Sequence, residues 1–136
     1  MSLTYTAARD EILTLFKTAW DAQGTVPPVL YWDRATQPPT SGDWARITLR
    51  HTSGGNAAIS NRFFVREGLV TVQLFTNFGE GLSSADLMSK VVSDAFQGQQ
   101  TAGGVWFRNV RVNEIGQDGE WFQTNVLIDF EYNEVI

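Results

Sequence analysis

The sequence contains no cysteine and a single histidine, His51. The first absence excludes disulfides, thiolate metal sites and cysteine nucleophiles, and it fits a reducing cytoplasm. The second leaves little material for a nucleophile and base pair, which needs an oriented base beside the attacking group. His51 lies next to Arg50 at the end of an alternating run, and the nearest hydroxyls in sequence, Thr48, Thr52 and Ser53, are ordinary strand and turn residues. It reads as a structural or surface histidine. No apolar run approaches the roughly 20 residues that span a bilayer. Met1 to Tyr5 lacks the basic region and apolar stretch of a signal peptide. Charge is sparse too, 18% of residues against about 25% in ordinary domains. Ten basic side chains face fifteen acidic ones, a net charge of −5. That balance is a poor footprint for a general nucleic-acid clamp. Gly79-Glu80-Gly81 and Gly54-Gly55-Asn56 lack the spacing of phosphate loops and read as turns.

What is present is apolar and aromatic. The 136 residues are 43% hydrophobic and 12% aromatic, with five tryptophans. That is enough for one domain, 1–136, with a sizeable core. Few charges and many tryptophans point to a surface occupied by something other than water.

Periodicity gives the element order. Ala8, Ile12, Leu15, Phe16, Ala19 and Trp20 recur at spacings of three and four and predict a helix over residues 4–23. Arg9, Asp10, Lys17 and Asp21 take its other side. Gly24 and Pro27-Pro28 end it. Val29 to Trp32 reads as a short strand and residues 33–43 as a loop. Residues 44–52 alternate, with Ala45, Ile47 and Leu49 opposite Trp44, Arg46, Thr48 and Arg50, and residues 53–56 read as a turn. Residues 62–77 are β-rich, interrupted at Glu67-Gly68. A second helix is predicted over residues 83–97, opened by a Ser83-Ser84-Ala85-Asp86 capping box. Two closing strands join at a turn over residues 116–119. In the last run Phe122, Thr124, Val126, Ile128, Phe130 and Tyr132 share one face. The expected fold is α+β, a two-layer sandwich of an antiparallel or mixed sheet with both helices packed on one face. Phe16, Trp20, Val92, Phe96, Val126, Ile128 and Phe130 are expected to meet in one core.

Candidate chemistry is thin. Asp129 and Glu131, with Glu114 across the hairpin, are compatible with a Mg²⁺ or Ca²⁺ site and equally with a solvated sheet face. Asp33, Asp43 and Glu80 lack EF-hand spacing. No constellation builds an active site, so neither enzyme activity nor a cofactor or metal is expected. The arginines say more. Arg46, Arg50, Arg62, Arg66, Arg108 and Arg111 fall on predicted strands near tryptophan. Tryptophan and arginine are the common anchors of protein interfaces. Arg46 and Arg50 share a face with Trp44, and Arg108 shares one with Trp106. These five, with Asp33 and Arg34 in the loop, are the candidate interface residues. Surface arginines paired with carboxylates are the plainer alternative.

Four segments, in order, resemble the phage tail-terminator-like family of long-tailed phages and prophages. They are residues 5–20 (opening Tyr5-Thr6-Ala7-Ala8-Arg9), 44–51 (Trp44-Ala45-Arg46-Ile47), 68–75 (Gly68-Leu69-Val70) and 104–126, with Trp106-Phe107 and Trp121-Phe122. The loop at 33–42 has no counterpart in that pattern. The resemblance implies an α+β sandwich that assembles as a homo-oligomer, usually a hexameric ring, on the end of a finished tail tube; a monomer in isolation stays open. It implies a tail tube protein and a head-side neck protein as partners, and no catalytic residues. It implies a chain made in the host cytoplasm and placed in the virion tail, away from membranes. DNA would pass through the ring without specific binding, and an acidic lining would not grip it. A neck or minor tail protein of similar fold is the alternative within the virion, and a small enzyme or ligand-binding domain the alternative outside it.

Overall fold

A computed structural model describes residues 3–24, 26–31, 37, 39, 42–56, 63–77, 79 and 82–135, with the side chains at 53, 55, 56, 63 and 135 left aside. The elements run α1 (Tyr5–Asp21), β1 (Val29–Tyr31), β2 (Trp44–Asn56), β3 (Phe63–Asn77), α2 (Ser83–Phe96), β4 (Trp106–Asp118) and β5 (Trp121–Val135). The strands form one mixed sheet in the order β1-β2-β3-β5-β4. β1 runs parallel to β2, and every other pair is antiparallel.

Thr4 starts α1. Its hydroxyl accepts the Ala7 N–H at 3.1 Å and satisfies a donor left orphaned by the first turn. The stripe Ala8, Ile12, Phe16 and Trp20 is buried, and the Trp20 indole N–H donates to the Pro27 carbonyl at 2.9 Å, tying the helix end to the approach to β1. Arg9 does not join the polar side. It reaches the sheet and donates to the Leu49 carbonyl at 2.7 Å. The expected capping box of α2 does not form: Leu82 is the N-cap and Ser83 is already helical, with no side chain bonding the first turn. Gly98, at φ 71°, turns the chain after α2.

Both helices lie on the same side of the sheet. The seven residues expected to meet do so in one core, joined by Ile47, Leu49, Val70, Val72, Leu74 and Phe107 from the same sheet face. Burying one apolar stripe per helix against one apolar sheet face fixes the two-layer arrangement. The other face of the sheet carries Trp44, Arg46, Gln73, Asn125 and their neighbours.

Two of the expected turns are displaced. β2 does not stop at residue 52. The register shifts between His51 and Ser53, so a bulge absorbs Thr52 and pairing continues to Asn56. The irregularity expected at Glu67-Gly68 sits opposite, on β2, and β3 runs unbroken. Gly68 is required for another reason: it pairs with Phe130, and a Cβ there would collide with the Phe130 ring and the Arg50 carbonyl. The closing turn is at Gly119-Glu120, where Gly119 takes φ 63°, as two-residue hairpin turns demand. Gly116, at φ 105°, follows a second bulge between Glu114 and Gly116. A third shift lies between Arg108 and Arg111, where Asn109 adopts φ 54°.

Candidate assembly interface

The sheet face turned away from the helices is covered by no helix or strand among the described residues. Its residues divide into two parts. At one end Trp44 stacks on Phe75, centroids 4.1 Å apart, and meets Trp121 edge-on at 6.1 Å. With Leu30 these rings make a second apolar cluster, and Trp44 is only 3% exposed. Trp44 is therefore not the surface anchor expected from its register. It faces away from the main core, yet its neighbours on β1, β3 and β5 bury it. Arg46 lies over this cluster, 5.4 Å from the Trp44 ring and 5.8 Å from the Phe75 ring, with Gln73 Oε1 at 3.4 Å. Such contacts are worth about 0.5–1 kcal/mol at exposed sites.

At the other end Trp106 is 38% exposed, with the Arg108 guanidinium 5.5 Å from its ring. Arg108 also bridges Glu131 at 3.3 Å and Glu67 at 3.7 Å. Asp129 holds the β4 bulge. It accepts from Asn109 Nδ2 at 3.1 Å and from Arg111 at 3.3 Å, while Arg111 donates to the Asn109 carbonyl at 2.9 Å. Asp129 and Glu131 thus act as arginine partners, and Glu114 pairs with Thr124 on the opposite face, so the three carboxylates do not converge. Among the described residues no group of three metal-ligating side chains forms. Arg50 is exposed on the outer face at this same end, in the cross-strand row of Leu69, Asp129 and Arg108. Asp33 and Arg34 lie outside the described residues.

The arginine pairs lie in or near solvent, where an ion pair contributes only about 0–1 kcal/mol. Their guanidinium groups can exchange partners at little cost. The face is thus aromatic at one end, arginine- and tryptophan-bearing at the other, and crossed by exchangeable charges.

His51 is on the helix side. Its Nε2 is 2.7 Å from the Tyr132 hydroxyl, and Tyr5 and Phe130 meet it edge-on at 4.6 and 5.4 Å. Burial first, then the Arg9 and Arg66 charges, push its pKa below the ordinary 6.5, with Glu134 opposing. Burial, with Glu134, pushes Tyr132 up to about 12. Both groups are therefore neutral at physiological pH. The unfolded chain binds a proton at His51 more readily than the folded one, so stability is full above pH 6.5 and falls as the pH drops below it. Thermal melts between about pH 7.5 and 5.5 should show this fall, and His51→Gln should flatten it. An unaltered profile in the variant would assign the fall to other groups.

Sequence reasoning missed a groove of about 540 Å³ on the helix side, between α1 and residues 100–102. The half-buried Leu15 and Ala19 of α1, read from sequence as core stripe, line it.

The fold has counterparts. The family of phage tail terminator proteins matches residues 7–130. The chain belongs to the phage tail terminator protein family. One solved structure, 16% identical over 95% of each chain, superposes with a TM-score of 0.75. A chain in the virion of a native gene transfer agent particle is 15% identical, covering 94% of this chain and 98% of its own, with a TM-score of 0.56. At these identities both show a shared fold. No curated protein sequence matches the chain. This tail terminator family member is a structural protein of the phage tail, its place is the virion tail, and it acts among other tail and neck proteins.

Proposed function

We propose that this chain closes as a ring, a hexamer, on the end of the completed tail tube, stops tube polymerisation and offers the surface to which the head-side neck protein joins. The observation that carries this reading is a sheet face that no described helix or strand covers, in a family member. A two-layer sandwich that leaves Trp106, Arg108, Arg46 and Arg50 on an open sheet has a broad surface suited to protein contact. A closed ring needs two different complementary patches per subunit. The terminating role belongs to protein contact, with no catalytic group required. DNA passes through such a ring, and a chain of net charge −5 does not grip its phosphates. The test is electron microscopy of tails assembled with and without this chain. Without it, tubes should run past the normal length and lack heads. Tails of normal length with heads attached would remove the terminating role.

A further inference from the structure

We propose that the acidic groove on the helix side of one copy receives the arginine-bearing outer sheet face of the next copy. This contact rests on the ring reading and names the two surfaces that build the ring.

The groove is a built feature. Glu11 Oε1 accepts the Gly103 N–H at 2.9 Å and pins the segment after α2 against α1. Leu15, Ala19 and Ala102 supply apolar lining, with Asp10 and Glu11 as its charged members. The complementarity is local: Asp10 and Glu11 in the groove, and arginine rows on the outer face. Apart from Arg9, which bonds to the sheet, α1 and α2 carry five carboxylates (Asp10, Glu11, Asp21, Asp86 and Asp94) against Lys17 and Lys90. Lys17 pairs with Asp21 at 2.6 Å and Lys90 with Asp94 at 3.0 Å, so the acidic excess of the two helices rests on Asp10, Glu11 and Asp86. The outer sheet face carries four arginines (Arg46, Arg50, Arg108 and Arg111) against Glu67, Asp118, Asp129 and Glu131, with Asp118 at the hairpin end, away from the Arg50 and Arg108 row. Between those arginines lie the half-buried Leu69 and Leu127, an apolar centre to meet the Leu15–Ala19 lining. The two surfaces lie on opposite sides of one sandwich, so the contact is heterologous. Each copy uses one surface toward each neighbour, as a ring requires.

The chain has no cysteine, so the introduced thiols are the only ones it carries, and the single variants control for thiols of other tail proteins. Thr14 is exposed in the groove, and Thr48 lies on the outer face between Arg46 and Arg50. The experiment treats assembled tails carrying the Thr14→Cys/Thr48→Cys variant with a short bis-maleimide. The expected result is a ladder of covalent oligomers ending at the ring size, with none from either single variant. Adding Asp10→Arg should cut the ladder at least tenfold, and adding Arg50→Glu to that variant should restore it. Tails of normal length that carry the double-thiol variant and give no ladder, or a ladder indifferent to Asp10→Arg, overturn this contact and leave the ring reading standing. A wild-type chain that never joins tails overturns both.

Discussion

Replacing Phe130 by alanine is expected to cost about 3–5 kcal/mol, the usual range for emptying a buried aromatic site. Phe130 is fully buried. Its ring lies over Gly68, meets His51 edge-on and stacks on Tyr132 at 6.3 Å. No neighbour fills that space easily, because Gly68 has no side chain and the strands on either side are tied in register. Set against a typical domain stability of about 5–15 kcal/mol, the loss is a large share of the whole. Gly68→Ala should be costly as well, since its methyl group needs the space held by the ring. The two effects should not add. In the Phe130→Ala background, Gly68→Ala should cost less than it does in the wild type, with a residue left by the Arg50 carbonyl, which is close to the same Cβ position. Denaturant titrations of the four proteins measure this coupling. Strictly additive losses would mean that the ring does not rest on the glycine.

The second large effect falls on assembly rather than folding. Trp106→Ala with Arg108→Ala removes the exposed ring and its guanidinium neighbour from the outer face. Interface anchors of these types cost about 2 kcal/mol or more when truncated, roughly thirty-fold in affinity per contact, and a ring repeats the loss at every interface. The folded monomer should lose little. Arg108 and its two carboxylates form exposed to half-exposed pairs, worth about 0–1 kcal/mol each. The expected outcome is a melting temperature within a few degrees of the wild type, together with tails that run on uncapped. Normal tails from a variant that is present and folded would move the interface off this end of the sheet.

The fold was largely legible because its two periodicities are strong. Ala8, Ile12, Phe16 and Trp20 mark one helix face, and Val126, Ile128 and Phe130 one strand face, and these residues do meet. What could not be read were events that break a period. The bulge at Thr52 and the two in β4 leave no composition signal strong enough to distinguish them from turns, so the sequence pattern ends β2 early and sets the closing turn two residues too soon. Asn109 at φ 54° is held by Asp129, twenty residues on, and local sequence does not contain that bond. The candidate interface residues were legible in type and less so in exposure. Trp44 and Trp106 have the same alternating context, but Trp44 has Phe75, Trp121 and Leu30 around it, while Trp106 lies on the edge strand β4. Strand order decides that difference, and strand order is a property of the whole chain. The helix-side groove was hidden because Leu15 and Ala19 belong by spacing to the same stripe as Phe16 and Trp20.

The central claim is that this tail protein forms a closed ring at one end of the tube. Electron cryo-microscopy of the head–tail junction in assembled particles tests it most directly. The expected map shows six copies of this sandwich in a closed ring at the head-proximal end of the tube, the sheet face of each against the helix side of the next. A map in which this chain is absent from that end, or distributed along the tube, would contradict the claim.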